Sequence, residues 1–247
     1  MTERCSRLAP PGLRNLALAA LLLPALLIAA GGPATGQQAA APTSVVYTPP
    51  DLGAPPTRTL AATRGLGAAP AVQVLAPAQT GLTQVAQPTL FWYLAAPAMA
   101  RVELTLVDQQ KAEPLLELDL GAVQTPGIHA VSLAAHGVRL ESGRLYQWSI
   151  AQVVDPAQRW ADIVTSATLQ HRAPDAELAQ ALAGASSTGR LAALARHGYW
   201  YDLQAELEAQ IRAQPDTAGW RALRGDLLAQ VGLAEIAEEA KDAPLVQ

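Results

Sequence analysis

The chain has 247 residues, enough for one large domain or two small ones, and a formal net charge of −4 without a prominent basic patch, which argues against a nucleic-acid partner. Half of the residues are hydrophobic, but much of that fraction is alanine, and aromatic residues make up only 4%. The single cysteine, Cys5, lies in a segment that we expect to be cleaved, which excludes disulfides and thiolate chemistry from the mature chain.

Residues 1–36 have the pattern of a signal peptide. Three arginines precede an apolar run over residues 16–30, and the small residues Ala34-Thr35-Gly36 follow as a cleavage site. The run is about 15 residues long, shorter than the roughly 20 residues that span a bilayer. We therefore predict a periplasmic or secreted protein whose mature chain begins near Gln37, carries a net charge of −6 and has no membrane span. An uncleaved N-terminal anchor is the alternative.

Residues 37–70 are rich in proline, alanine, glycine, threonine and glutamine. A segment of this composition cannot bury enough apolar surface to offset the entropy lost on ordering. We therefore expect a disordered linker. The glycine pair in Thr63-Arg64-Gly65-Leu66-Gly67 lacks the preceding strand and the following helix of a phosphate-binding loop, so it is interpreted as part of this linker.

Residues 71–173 are predicted to form an antiparallel, immunoglobulin-like β-sandwich. Apolar and polar residues alternate in about seven short segments, with turn signals roughly every ten residues. Residues 88–94 hold the only phenylalanine and are the densest in large side chains, and we expect them to face residues 145–154 across the core. The predicted strands cover residues 72–75, 88–94, 101–107, 116–120, 128–133, 145–154 and 163–170.

Residues 174–240 are predicted to form a helical module, which makes the fold class α+β. Apolar residues recur at helical spacing in about four segments, with Ser187 and Asp216 as expected N-caps. Gly198 and Gly232 lie 34 residues apart, which is the period of a tetratricopeptide helix pair. Because barely one and a half repeats fit and an isolated repeat cannot bury its own face, we expect these helices to pack on the sandwich or on each other.

No catalytic or metal-binding motif stands out. The glycine spacing of residues 184–190 resembles a phosphate-binding loop, but Arg190 and Leu191 replace its lysine and its Ser/Thr. A Gly-x-Ser-x-Gly elbow is also absent. Without a recognisable catalytic constellation, we expect a non-catalytic protein rather than an enzyme, and we expect no cofactor. The histidines have no paired metal spacing, and they are His129, His136, His171 and His197.

Trp160 is the aromatic residue that the sequence singles out as a ligand contact. It lies in a polar loop, with Arg159 and Asp162 beside it, whereas the other aromatic residues are expected in the core. We predict that these three residues bind a partner. An export signal without a catalytic constellation favours a protein-binding or accessory protein of the cell envelope whose partner is another envelope or secreted protein. A stacking platform with nearby carboxylates would instead indicate a carbohydrate-binding domain or a hydrolase.

A set of short motifs occurs in order along the mature chain. They are Pro55-Pro56-Thr57-Arg58-Thr59, Thr63-Arg64-Gly65, Gly81-Leu82-Thr83, residues 88–93, Thr125-Pro126-Gly127-Ile128, residues 143–148, Asp155-Pro156 and residues 198–202. Over about residues 50–240 the chain resembles the bacterial family called domain of unknown function 928, whose members are exported, mostly in cyanobacteria and some proteobacteria. Many relatives carry cysteines near two of these motifs, where this chain has residues 66–69 and Val154. The resemblance implies the architecture and an envelope location, but no activity, no catalytic residue and no disulfide.

Overall fold

The computed structural model of the chain describes residues 44–52, 58, 72–98 and 100–246. These residues have the predicted α+β class, with nine strands in two sheets and five α-helices after the last long strand. The predicted signal peptide, residues 1–36, and most of the predicted linker lie outside the described residues.

Each sheet is built mainly from antiparallel neighbours. The four-stranded sheet has the order β1-β3-β6-β9, and the five-stranded sheet has the order β2-β8-β7-β4-β5. The pairs β2–β8 and β6–β9 are parallel, so the sheets are mixed rather than purely antiparallel. The strands are β1 (Val72–Val74), β2 (Gly81–Thr83), β3 (Thr89–Leu94), β4 (Arg101–Asp108), β5 (Pro114–Ala122), β6 (Gly127–Ser132), β7 (Leu145–Val153), β8 (Ile163–His171) and β9 (Leu245–Val246).

Two short strands, β2 and β9, are not predicted by the sequence. Both pair in parallel at the edge of a sheet, and β9 returns to β6 only after the whole helical module. Two or three residues are too few for a visible period-two pattern, so only the tertiary structure makes these segments strands. The immunoglobulin-like identity of the sandwich stays a prediction.

Alternation along β4 places one row of side chains in the core. Leu104 and Leu106 are fully buried and lie opposite Ile150 and Trp148 of β7. β3 is buried on both faces instead, because Tyr93, on one face, reaches helix α5 (Ala234–Asp242), where its hydroxyl contacts Glu239 at 3.4 Å. A strand covered on both sides has no polar face, which explains its continuous run of large apolar residues.

The aromatic residues of β3 and β7 lie in different sheets, and the ring partners that the structure describes come from other elements. Trp92 stacks on His129 of the neighbouring strand β6, with ring centroids 4.4 Å apart. The indole N–H of Trp148 donates to the hydroxyl of Tyr201 at 2.9 Å. Tyr201 belongs to the helical module, so a helix supplies part of the core of the sandwich.

The module has five helices, where the sequence predicted about four. The missed helix, α5, buries one large apolar side chain, Ile236, together with two alanines, so small residues make up most of its buried face. The N-cap of the second helix is Ser186 and not the predicted Ser187. The Ser186 hydroxyl accepts from the amide of Gly189 at 3.2 Å. The helices are α1 (Ala176–Leu182), α2 (Ser187–Arg196), α3 (Trp200–Ala213), α4 (Ala218–Gln230) and α5.

The observed N-cap of α4 also differs from the one that the sequence predicts. Thr217, not Asp216, precedes the first helical residue, and it makes no side-chain capping hydrogen bond. A carboxylate one residue before the N-cap lies outside the position from which it can accept the free amides of the first turn.

The 34-residue spacing corresponds to a repeated helix end. Gly198 follows α2 and Gly232 follows α4, each with φ of +77°. The next residue donates its amide to the equivalent carbonyl in both turns: Tyr199 to Leu194, and Leu233 to Leu228, each at 3.0 Å. Glycine favours this left-handed conformation, and the bonds satisfy carbonyls at the helix end. The helix pairs α2–α3 and α4–α5 are therefore connected by turns of the same geometry. A tetratricopeptide-like identity stays a prediction.

Residues 44–52, within the predicted disordered linker, are packed against the module. Val45 and Tyr47 are buried, and the Tyr47 ring makes an edge contact with Trp200 at 5.1 Å. The Thr48 amide donates to the carbonyl of Ala195 at 3.0 Å. Two buried apolar side chains and a backbone bond to a helix end stabilise this segment despite its proline-rich surroundings. We call residues 44–52 together with Arg58 the N-terminal strap.

Arg58 connects the sandwich to the helical module. Its guanidinium donates to the carbonyl of Ala76, just after β1, at 2.7 Å, and to the carbonyls of Val231 and Gly232 at 2.8 and 2.7 Å. The last carbonyls of a helix carry partial negative charge, so a cation is favourable at the end of α4. For residues 44–52 and Arg58, the structure therefore differs from the disorder that the sequence predicts.

Candidate functional site

Trp160 is 83% exposed, the highest fraction of the exposed large hydrophobic residues in the described part of the chain. It lies in a short 3₁₀ turn, Arg159–Ala161, between β7 and β8. Asp155 orders the approach to this turn, because its carboxylate accepts from the Ala157 amide at 2.9 Å and from the Gln158 side chain at 2.7 Å. The indole is therefore presented to solvent from an ordered loop.

Arg159 holds the turn on the outer face of the five-stranded sheet. Its guanidinium pairs with Glu103 of β4 at 2.6 Å and with Asp162 at 2.9 Å. The hydrogen bond from Arg159 holds the pKa of Glu103 below its usual value, and the same bond raises the pKa of Arg159. The pair is therefore an ion pair at neutral pH.

The three residues that the sequence predicts as binding residues thus lie together, but their environments differ. Trp160 is exposed, Arg159 is half-exposed, and the Asp162 side chain is only 4% exposed. Oδ1 of Asp162 is buried without a hydrogen-bond partner, although Oδ2 accepts from Arg159. A buried acceptor of this kind costs free energy until a donor reaches it. A binding role for these residues stays a prediction.

Glu103, which the sequence does not single out as a site residue, is the centre of a charged cluster. Arg101 on the same strand also pairs with Glu103, and its guanidinium lies 3.5 Å from Asp119 of β5. These residues line a groove of about 300 Å³ along β4 and β5, together with Thr105 and Glu117. Alternation on β4 could have placed Glu103 on the solvent face, but a partner 56 residues away along the chain gives no local signal.

A second cleft, of about 340 Å³, lies between the β2–β3 connection and helices α2 and α3. Asp202 lines it and accepts from the Gln84 amide at 2.9 Å, while Arg190 and Glu206 form a pair at 3.5 Å. Burial raises the pKa of Asp202 from 3.8 to about 6. The carboxyl group therefore titrates in a mildly acidic range while it holds the β2–β3 connection to α3.

The aromatic motif at residues 198–202 anchors the helical module on the sandwich. The indole N–H of Trp200 donates to the carbonyl of Leu75 at 2.8 Å, and the hydroxyl of Tyr199 donates to the carbonyl of Ala173 at 3.1 Å. Both acceptors belong to the β domain, so these side chains fix the first turn of α3 against it.

Tyr201 reaches deepest into the sandwich. Its hydroxyl donates to the carbonyl of Thr168 at 3.1 Å and accepts from Trp148. A Cβ at Gly81 would lie 2.9 Å from the Tyr201 ring, so the glycine of β2 leaves the space through which the tyrosine enters. Burial raises the pKa of Tyr201, so its hydroxyl stays protonated as a structural donor.

The described residues contain no group of three or more His, Cys, Asp or Glu side chains that could hold a metal ion. His129 lies in the four-stranded sheet, stacked on Trp92 and hydrogen-bonded to the Thr125 carbonyl at 2.9 Å, whereas His171 ends β8 in the other sheet. In the same part of the chain, no helix combines the length and apolar character that crossing a membrane requires.

The described residues therefore form two sheets with a docked helical module, and the exposed tryptophan on its salt-bridged turn is the leading candidate for a functional surface. The family model of the Domain of Unknown Function DUF928 matches residues 59–241, and the chain belongs to this family. The match covers the sandwich and nearly the whole helical module, and it begins directly after Arg58. A search of curated proteins found none that matches the chain.

Proposed function

We propose that the chain is an exported, non-catalytic protein of the cell envelope that binds another envelope or secreted protein through the surface around Trp160. The observation that carries the proposal is the 83% exposed indole on a turn held by two ion pairs. Tryptophan and arginine are enriched among the residues that dominate binding energy, and a side chain on an ordered turn loses little entropy on binding.

The test is capture from crosslinked envelope fractions with the exported protein as bait. We expect a reproducible partner whose recovery falls about tenfold or more with Trp160→Ala, because a central tryptophan typically contributes 2 kcal/mol or more to binding. Val46→Ala is the matched control, since Val46 is 70% exposed and lies on the N-terminal strap. Equal recovery with both variants, or measured turnover of a substrate without any partner, would contradict the proposal.

The same exposed ring supports carbohydrate binding as the second candidate. Arg159 and Glu103 beside the indole could hydrogen-bond hydroxyl groups while a sugar ring stacks on Trp160. A glycan array on the mature protein distinguishes the two functions. Signals that disappear with Trp160→Ala would favour a sugar ligand. An array without any signal would contradict carbohydrate binding.

Export itself rests on the charge and hydropathy pattern of residues 1–36. The intact mass of the protein recovered from the periplasm or the medium tests it, with a chain beginning near Gln37 as the expected result. A mass that retains residues 16–30 would indicate a membrane anchor instead.

A further inference from the structure

β5 is an edge strand of nine residues, longer than β2 at the opposite edge of the same sheet. Its only sheet neighbour among the described residues is β4. Alternate N–H and C=O groups of an edge strand point away from the sheet, and they can pair with a strand from another chain.

The regular part of β5 is short and well defined. Register shifts interrupt the β4–β5 pairing at both ends, which leaves residues 116–119 paired one to one with residues 103–106 of β4. Pro114 begins the strand, and the amide of Gly121 is already bonded to the Asp119 side chain at 2.9 Å. Only the central residues therefore offer a free edge, which suits a short added strand better than a large aggregate.

The charges along this edge select the partner. Glu117 and Asp119 lie on the same face of β5, with Leu118 between them in the chain, and β5 itself carries no basic residue. Glu117 forms no ion pair within the described residues. Asp119, with its side chain 57% exposed, has one ion pair there, at 3.5 Å from Arg101, besides its hydrogen bond from the Gly121 amide. Natural edge strands are commonly protected by lysine, whereas this one presents carboxylates beside half-buried leucines.

We infer that β5 accepts an extended, basic segment of a partner protein as a sixth strand of the sheet. The backbone of the segment pairs with residues 116–119, and alternate lysine or arginine side chains lie against Glu117 and Asp119. A second copy of β5 is not the expected occupant. If two copies of β5 paired with each other, Glu117 and Asp119 of both copies would bring four negative charges together.

This inference rests on the proposed function, because it names the partner class for the same face of the molecule. Glu103 lies opposite Asp119 in the sheet register and pairs with Arg159, so the charged cluster runs from the β5 edge across β4 to the Trp160 turn. An added strand lies about 5 Å beyond β5. The rest of the partner can therefore cover the groove and reach the indole.

The probe is an immobilised pool of eight-residue peptides in which Lys or Arg alternates with Val, Ile or Thr, incubated with the mature protein. A pool with Asp or Glu in place of the basic residues tests the charge. A third pool, basic but N-methylated at alternate residues, cannot complete the ladder hydrogen bonds. We expect retention by the basic pool alone and, in solution, slower hydrogen exchange of β5 amides.

The matched variants carry the same change in net charge. Glu117→Lys with Asp119→Lys should weaken retention about fivefold to tenfold, because exposed ion pairs contribute modestly and two of them are replaced by like charges. Glu177→Lys with Glu235→Lys, at exposed positions on α1 and α5, should leave retention unchanged. Retention that survives N-methylation or responds equally to both double variants would overturn strand addition, as would no retention at all. A dimer in sedimentation that the β5 variant dissociates would overturn it in favour of self-association.

The two proposals fail in different ways. Capture of an envelope partner that depends on Trp160 but not on the β5 carboxylates would contradict only the strand addition. Peptide retention that depends on β5, without any Trp160-dependent partner, would contradict only the proposed role of the Trp160 surface.

Discussion

Single side chains explain how the helical module is attached to the sandwich. Trp200 is 2% exposed, contacts Tyr47 of the N-terminal strap and donates to the carbonyl of Leu75. Its ring and its N–H therefore connect three parts of the chain. Removing it leaves a cavity where these parts meet and an acceptor without its donor.

We predict that Trp200→Ala lowers the free energy of unfolding by roughly 3–5 kcal/mol, the usual cost of deleting a fully buried large aromatic side chain. Urea unfolding of the full mature chain measures it. Trp160→Ala is the control and should change stability by less than about 0.5 kcal/mol, because its ring is exposed. Equal destabilisation by both variants would contradict the anchoring role of Trp200.

The raised pKa of Asp202 makes the free energy of unfolding depend on pH in the mildly acidic range. Its pKa is about 6 in the folded protein and 3.8 ordinarily, so the folded state binds the proton more tightly than the unfolded chain. The favourable contribution of the protonated carboxyl is complete below about pH 4 and is lost as the pH rises through about 6. The contribution is at most about 3 kcal/mol for a shift of this size.

We predict that Asp202→Asn removes this fall in stability between pH 4 and pH 6.5, because an amide oxygen can still accept from Gln84 but does not titrate. Urea unfolding across this pH range measures the slope, with the exposed residue Asp216 changed to asparagine as the control. A slope that persists in Asp202→Asn would show that other groups cause it.

The sequence predicts whether a residue is exposed or buried when its surroundings are formed by its neighbours along the chain. Trp160 is flanked by polar residues, and its exposure follows from them. The anchoring roles of Trp200 and Tyr201 do not follow from the pattern, because their acceptors are the backbone carbonyls of Leu75 and Thr168, which are distant along the chain. Helical spacing places Trp200 on an apolar face, but it does not say which surface that face meets.

At the scale of elements, the strap depends on the glycine turn at the end of α2. A Cβ at Gly198 would lie 2.7 Å from Cδ of Pro50 and 3.1 Å from the Thr48 carbonyl. At Gly232 the nearest atom is the end of the Arg58 side chain, at 3.2 Å. The two turns have the same φ, so they differ mainly in how closely the strap approaches.

We predict that Gly232→Ala costs about 1 kcal/mol, the typical penalty of a left-handed conformation, and that Gly198→Ala costs clearly more. The additional cost comes from moving the strap backbone, which cannot shift as easily as a flexible arginine. Thermal unfolding of both variants checks the order. Equal costs would indicate that the strap does not constrain the turn.

The elements also differ in how far sequence predicts them. Period-two alternation predicts the long strands β4 and β7, because one face of each is buried and the other is partly exposed. The strap is missed, because two buried residues in a proline-rich segment give no period. β9 has only two residues, too few for a period, and α5 buries mainly alanines. The placement of both depends on contacts with β6 and α4.

At the scale of the whole molecule, the sandwich and the helical module share one core. The residues that the structure describes all belong to one compact unit, and Tyr201 of α3 is buried against the β domain. The helices are 7–14 residues long, near or below the length at which an isolated helix is stable. We therefore expect that the stability of the β domain, which carries the proposed binding surface around Trp160, depends on the docked module.

The most direct test of this account is differential scanning calorimetry of the mature chain beside a truncated chain that ends at Ala173. We predict a single transition for the mature chain and a markedly lower melting temperature for the truncated one, because truncation removes Tyr201 from the sandwich core and Trp200 from the strap. Two separate transitions, or a truncated sandwich that melts where the full chain does, would contradict the shared core and would indicate that the helical module is an independent protein-binding unit.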